Sequence, residues 1–331
     1  MGTVVSEKWP LKLAMGLLAG FGGLYALYFL AKRRQQQEDQ DSKHCQSKEQ
    51  NLLLRATGLR IRSQENASSR QGYKLVNPHN GLEKQQLQAI LGLLKRTLDT
   101  SIREHALVTI GNSAAFTVNQ DLIRDLDGLS VVANCLLDEI TSIKVKAMNA
   151  LTNLSLNVVN QEELKVWIPQ ILKIQEAATL NSELQVAGLR TLTNFSVTNN
   201  HHHMMTKSIP HFLKLLVDGT ENIKVQVLKI LVNLSANPEL THDFLCAQVP
   251  PLFLFLFDGT INKEVLIRIL IFVVNLKENM NLMQGFGQYE YKVDSLHSVL
   301  FGNPIPFSQK IAKLVLHQDD EVKQHAARIM V

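Results

Sequence analysis

Five asparagines recur at one register of this 331-residue chain: Asn112, Asn153, Asn194, Asn233 and Asn275. A carboxamide both donates and accepts hydrogen bonds, so a row of them can hold the main chain of an extended peptide whatever its side chains. Positions four and seven residues before each asparagine share its helical face. They include His105, Lys146, Arg190, Lys229 and Arg268 and no acidic residue. Such a stripe suits acidic or phosphorylated segments. A blander reading of both features stays open: asparagine is also favoured at helix C-termini, and runs of charge are commonly solvated helix faces.

Other chemistry is sparse. His201, His202 and His203, with His211, fit no zinc-ligand spacing and read as a solvated turn between repeats. No phosphate-binding loop, nucleophile elbow or paired His/carboxylate signature is present. The expectation is no catalytic residue, no metal, no cofactor and no small-molecule substrate.

The elements that position the asparagines form a repeat. The phrase reads IREHALVTIGNSA from Ile102, IKVKAMNALTNLS from Ile143, LQVAGLRTLTNFS from Leu184, IKVQVLKILVNLS from Ile223 and VLIRILIFVVNLK from Val265. A period near 40 residues is the signature of stacked helical units, which bury a continuous core and leave a long concave surface for binding. Ile168-Pro169, Ile209-Pro210 and Val249-Pro250 recur upstream of the phrase. Proline suits a first helical turn. Asp218-Gly219-Thr220 recurs as Asp258-Gly259-Thr260 and turns the chain. Alone, Leu252 to Phe257 could pass for a strand, but the repeat register predicts a helix there. A last partial copy, EVKQHAARIMV, reads as a terminal cap, with Met330 in place of the asparagine.

Three cysteines without metal spacing indicate a reduced, intracellular protein. The net charge of +4 is uneven: residues 1–31 carry +1 and residues 32–80 carry +5, leaving −2 for the repeats. A nucleic-acid-binding array would carry a strong positive balance in its folded part, so no nucleic-acid partner is expected.

Leu13 to Ala31 contains no charge. As a helix it spans about 28 Å, close to the hydrocarbon thickness of a bilayer. Leu13, Leu17, Leu18, Phe21, Leu24, Leu27, Phe29 and Leu30 supply its apolar surface, and Lys32, Arg33 and Arg34 form a basic flank. That flank predicts a signal-anchor with the repeats facing the cytosol. No small-x-small cleavage site precedes the flank, as a removable signal peptide would need. A short, glycine-containing span suits a thin membrane, the mitochondrial outer membrane or alternatively the endoplasmic reticulum. Residues 35–80 are polar and aperiodic and read as a disordered spacer.

The phrase ends Ala150–Ser155, Thr191–Ser196 and Ile230–Ser235 resemble the end of the third helix of an armadillo repeat. With the anchor, the basic flank and the stretch HALVTIGNSAAFTVNQ from His105, the chain resembles the membrane-anchored armadillo proteins of the mitochondrial surface, the X-linked armadillo proteins and their autosomal relatives. The resemblance implies an all-α, right-handed superhelical solenoid with one N-terminal transmembrane helix. It also implies a non-enzymatic scaffold for protein partners, serving mitochondrial distribution and dynamics and growth control. The expected organisation is an anchor over 1–34, a linker over 35–80 and repeats over 81–331. Importin-type grooves carry tryptophan one turn before each asparagine. Here those positions are Val108, Asn149, Arg190, Lys229 and Ile271, a departure that argues against nuclear-signal binding.

Overall fold

The computed structural model describes residues 83–282, 290–302 and 304–331. The expected anchor and linker lie outside them. Among the described residues, no helix is long and apolar enough to cross a membrane. The described chain is helical throughout, apart from turns and one isolated β-bridge. It divides into two compact units on either side of Trp167 and Ile168.

The N-terminal unit contains α1 (Lys84–Arg96), α2 (Thr100–Ser113), α3 (Thr117–Asp125), α4 (Gly128–Asn134), α5 (Thr141–Leu154) and α6 (Val158–Leu164). Asp99 starts α2 by accepting the Ile102 N–H at 3.0 Å. The long helices α2 and α5 pack together, and Ala106, Leu107, Ile110, Ile143, Ala147 and Ala150 on them are buried. Gly111 lets them close: a Cβ there would stand 3.3 Å from the Ala150 Cα. Each large aliphatic side chain buried this way contributes about 1.5–3 kcal/mol relative to an exposed one.

The C-terminal unit contains α7 (Ile168–Ala177), α8 (Glu183–Phe195), α9 (Ile209–Asp218), α10 (Glu221–Ser235), α11 (Thr241–Cys246), α12 (Lys263–Leu282), α13 (Pro304–Val315) and α14 (Asp320–Met330). The α7 and α9 helices start at the expected Ile-Pro pairs. Asn181 adopts a left-handed backbone, φ 65°, which asparagine tolerates better than most residues. Its Oδ1 accepts the Thr220 N–H at 2.7 Å, joining the turn before α8 to the start of α10. The last helix, α14, buries Val322, His325, Ala326 and Ile329 and leaves Ala327, Arg328 and Met330 in solvent. Lys277 Nζ donates to the Ile329 carbonyl at 2.6 Å, and Arg328 pairs with Glu278. The helix thus has one buried face and one exposed face.

The run after Val249-Pro250 departs from expectation. It forms a short 3-10 helix, Phe253–Phe257, rather than a full α-helix. Two consecutive prolines hold Val249 and Pro250 away from the α region. A backbone bridge then fixes the preceding chain: Val249 N–H donates to the Asp294 carbonyl at 3.0 Å, and Leu296 N–H to the Ala247 carbonyl at 2.8 Å. Phe253 and Phe257 remain buried, with Phe257 edge-on to Phe307 at 5.0 Å, so the core is kept while the helix is shortened.

The two Asp-Gly-Thr turns are not equivalent. A Cβ on Gly219 would lie 2.6 Å from both Ile223 Cγ2 and the Leu215 carbonyl, whereas on Gly259 the nearest atom is 3.4 Å away. Gly219→Ala is therefore expected to cost about 1–3 kcal/mol. Gly259→Ala is expected to stay within about 0.5 kcal/mol of the parent. Equal shifts in their guanidinium unfolding midpoints would contradict this.

Candidate functional site

Four asparagines lie at the C-terminal ends of α2, α5, α8 and α10, while Asn275 lies within α12, and much of their chemistry is turned inward. Asn153 Nδ2 donates to the Gly111 carbonyl at 2.8 Å. Asn233 Nδ2 donates to Ser196 Oγ at 2.9 Å. Asn275 Nδ2 donates to Ser235 Oγ at 3.1 Å and to the Val232 carbonyl at 3.3 Å. In each case the asparagine of one repeat binds the helix end of the repeat before it. For Asn233 and Asn275 the acceptor is the serine two residues after the preceding asparagine, and that serine donates its own hydroxyl proton back along its helix. Ser196 donates to the Thr193 carbonyl at 2.7 Å and Ser235 to the Val232 carbonyl at 3.1 Å. In the C-terminal unit the recurring Asn-x-Ser fastens one repeat to the next.

An amide carries two N–H groups and one acceptor oxygen. Asn153 and Asn233 spend one N–H each on the stack and remain half-buried. Asn275 spends its donors internally and is only 6 % exposed, which assigns it to the stack rather than to a ligand. Asn112, at the start of the row, is exposed. Asn194 is half-buried at the same register.

A second polar row, missed by the sequence reading, lies eight residues after the ladder asparagine. Gln120 Nε2 donates to the Ala114 carbonyl at 2.8 Å and the Asn153 carbonyl at 3.1 Å. Gln161 Nε2 donates to the Ser155 carbonyl at 2.7 Å. His202 Nε2 donates to the Ser196 carbonyl at 2.7 Å. Next to the first two, Asn119 and Asn160 donate to the Ser113 and Leu154 carbonyls. All are buried. The signal was present as Asn119-Gln120, Asn160-Gln161 and His201-His202, spaced 41 residues apart.

This corrects the expectation for the histidine trio. His201 and His202 are 0 % and 1 % exposed, and only His203 faces solvent. His201 stands edge-on to Phe195 at 5.9 Å. A carbonyl can only accept, so the bond to Ser196 places the His202 proton on Nε2. Nδ1 then faces Asn237 Nδ2 at 3.4 Å, and Asn237 is held in that orientation because its Oδ1 accepts the Glu239 N–H at 3.1 Å. The ring is a neutral tautomer in the place of a glutamine.

The basic residues divide between the units. His105, on α2, is exposed, its ring bonded to the Ser101 carbonyl at 2.8 Å. Lys146, on α5, is half-exposed. In the C-terminal unit Arg190, Lys229 and Arg268 converge from α8, α10 and α12. Burial, then the Arg268 guanidinium, pushes the Lys229 ammonium below its ordinary value. Glu264 opposes this and Arg190 adds to it. Glu264 is 2.8 Å from Arg268. Among the described residues, Lys229 forms no ion pair of its own.

Stacked three-helix units with an amide at each inner helix end define a helical-repeat binding protein. A family model described as Armadillo-like matches residues 82–301, and the chain belongs to that family. Solved structures with the same fold include a designed armadillo repeat protein at 17 % identity, TM-score 0.58, covering 74 % of this chain and 98 % of that one. A second, in complex with the peptide (KR)4, matches at 15 % identity, TM-score 0.58, over the same shares of the two chains. At such identities the likeness concerns fold alone.

The state of His202 has a stability consequence. Its pKa is lowered by burial, and by His201, against the opposing Ser196 bond and Glu239. The unfolded chain therefore takes up this proton first as pH falls below about 6.5, and stability is lost on acidification. His202→Gln, the residue of the sister repeats, is expected to stay within about 1 kcal/mol of the parent at pH 7.5. It should also lose less stability between pH 7.5 and 5.5. His211 and His325 are lowered by burial too, so the pH dependence should shrink without vanishing. Urea unfolding at the two pH values measures it; an undiminished loss would contradict the assignment.

Proposed function

We propose that this protein is a non-enzymatic scaffold whose repeats hold extended segments of partner proteins, acidic or phosphorylated in character. The observation that carries this is the convergence of Arg190, Lys229 and Arg268 on the helix face that bears the ladder asparagines. The (KR)4 complex of the designed relative shows a peptide of basic side chains on this fold. The present chain places its own cations at the ladder face, so charge complementarity calls for an acidic ligand instead. In the C-terminal unit Asn233 keeps an N–H and an oxygen for a peptide main chain, and in the N-terminal unit Asn153 keeps the same.

Replacing Arg190→Glu together with Lys229→Glu is expected to weaken a labelled acidic decapeptide by about tenfold or more, with an unchanged melting temperature. Rim contacts of this kind contribute on the order of 0.5 kcal/mol each, and charge reversal adds repulsion. Unchanged affinity from low to high salt would remove the reading.

The uncharged Leu13–Ala31 segment and its Lys32-Arg33-Arg34 flank support tethering to the cytosolic face of the mitochondrial outer membrane. There the array would gather factors for mitochondrial distribution and growth control. A fusion of residues 1–40 to a fluorescent protein should label mitochondria and resist extraction in alkaline carbonate. Release into the supernatant would overturn the anchor. A uniform plasma-membrane signal would overturn the thin-membrane argument.

A further inference from the structure

We infer that residues 52–62 of this chain dock on an exposed apolar strip of the N-terminal unit, where the first turns of α3 and α6 lie side by side. The strip is the first argument. Five and six residues after the ladder asparagines stand Thr117 and Val118, Val158 and Val159, Asn199 and Asn200, and Pro238 and Glu239. Val118, Val158 and Val159 are 77, 61 and 56 % exposed, and Phe116, just before α3, is 47 % exposed. The later repeats hold Asn199, Asn200 and Glu239 in solvent at this register, so the repeat itself has no need of valine there. Asn157 Nδ2 donates to Asp121 Oδ1 at 2.8 Å, and Arg124 donates to Asn160 Oδ1 at 2.9 Å. These bonds hold the exposed apolar residues of two successive repeats on adjoining turns, and apolar surface gathered in this way marks an interaction site.

Charge complementarity is the second argument. Asp121 and Asp125 follow Val118 on α3 by three and seven residues, and Glu162 and Glu163 follow Val159 on α6 by three and four, spacings that share a helix face. Residues 117–125 and 158–165 hold these four carboxylates and two basic side chains, Arg124 and Lys165. The fitting occupant is therefore both apolar and basic. Residues 52–62, LLLRATGLRIR, lie outside the described residues. They carry five of the seven Leu, Ile and Val residues of the stretch 35–80, with three arginines and no acidic residue.

Reach is the third. Residues 63–83 join this segment to α1, which packs against α2 and α4 of the same unit. Fully extended they span about 70 Å, well beyond the radius of gyration of about 12 Å expected for a unit of this size. A tether of this kind supplies an effective concentration on the order of millimolar, so a modest contact is enough to close.

The test is limited trypsin digestion of the full-length chain in detergent micelles. Mass spectrometry follows cleavage after Arg55, Arg60 and Arg62, with Lys43 and Arg70 as references in the same stretch. Docking is expected to slow cleavage at the three arginines at least about tenfold against the references, the protection given by a contact about ten times tighter than a millimolar effective concentration. Val118→Asn, Val158→Asn and Val159→Asn together install the residue found at this register in the third repeat. That variant should lose the protection and keep its melting temperature. Leu53→Ser with Leu59→Ser should lose it too and should speed hydrogen exchange across residues 158–161, which decides the matter should the strip variant fail to fold. Unchanged exchange there would overturn the proposal, as would cleavage of the parent at the reference rates. Protection that persists in the strip variant would place the segment on the micelle or on another face and would also overturn it. Protection that weakens on dilution would assign the strip to a second copy of the chain and overturn the intramolecular occupant.

Discussion

The inner helices α2, α5, α8 and α10 end in the interior, and the carbonyls of a last helical turn have no partner in their own helix. Left unpaired in an apolar interior, each would cost on the order of 1–3 kcal/mol. The chain meets this constraint with side chains brought round from the next segment. Gln120, Gln161 and His202 donate to the carbonyls of Ala114, Ser155 and Ser196. Where the series breaks at Thr241, Asn279 of α12 donates to the Ser235 carbonyl at 2.9 Å instead. The apolar stacking of the inner helices can proceed only because these ends are satisfied. The asparagine bonds of Asn153, Asn233 and Asn275 then tie each of their helices to the helix end before it.

The repeat itself was legible because its signals are periodic and local. The Ile-Pro starts, the Asp-Gly-Thr turns and the asparagine register all survive in single residues, and the helices appear where they predict. Three things were not legible, for three different reasons. The burial of His201 and His202 was hidden because histidine replaced glutamine, so composition suggested a turn where register would have suggested a cap. The shortened helix at Phe253–Phe257 depends on a bridge to Asp294 and Leu296, a pairing over some 45 residues that no local pattern encodes. The inward donation of Asn153, Asn233 and Asn275 depends on which atom of an amide faces which neighbour. Spacing places a side chain on a face but cannot orient it.

These observations alter what an asparagine ladder means here. A residue that recurs in every unit could be kept for a ligand or for the stack, and in this chain the same residue serves both to unequal degrees. Asn275 is buried with its nitrogen committed to the stack, while Asn153 and Asn233 retain hydrogen-bonding capacity. Repetition alone therefore identifies a structural role more securely than a binding one.

What distinguishes one repeat from another is then the informative quantity. The polar caps and fastenings satisfy the backbone through amides, hydroxyls and an imidazole. Lys229 stands outside that network, half-buried, and burial together with the Arg268 guanidinium pushes its ammonium below its ordinary value. A group that the fold does not use, and that costs the fold something to keep, is best explained by what it binds. The satisfied helix ends are what make that argument available: with their carbonyls already paired, the half-buried Lys229 ammonium has no part in holding the stack together.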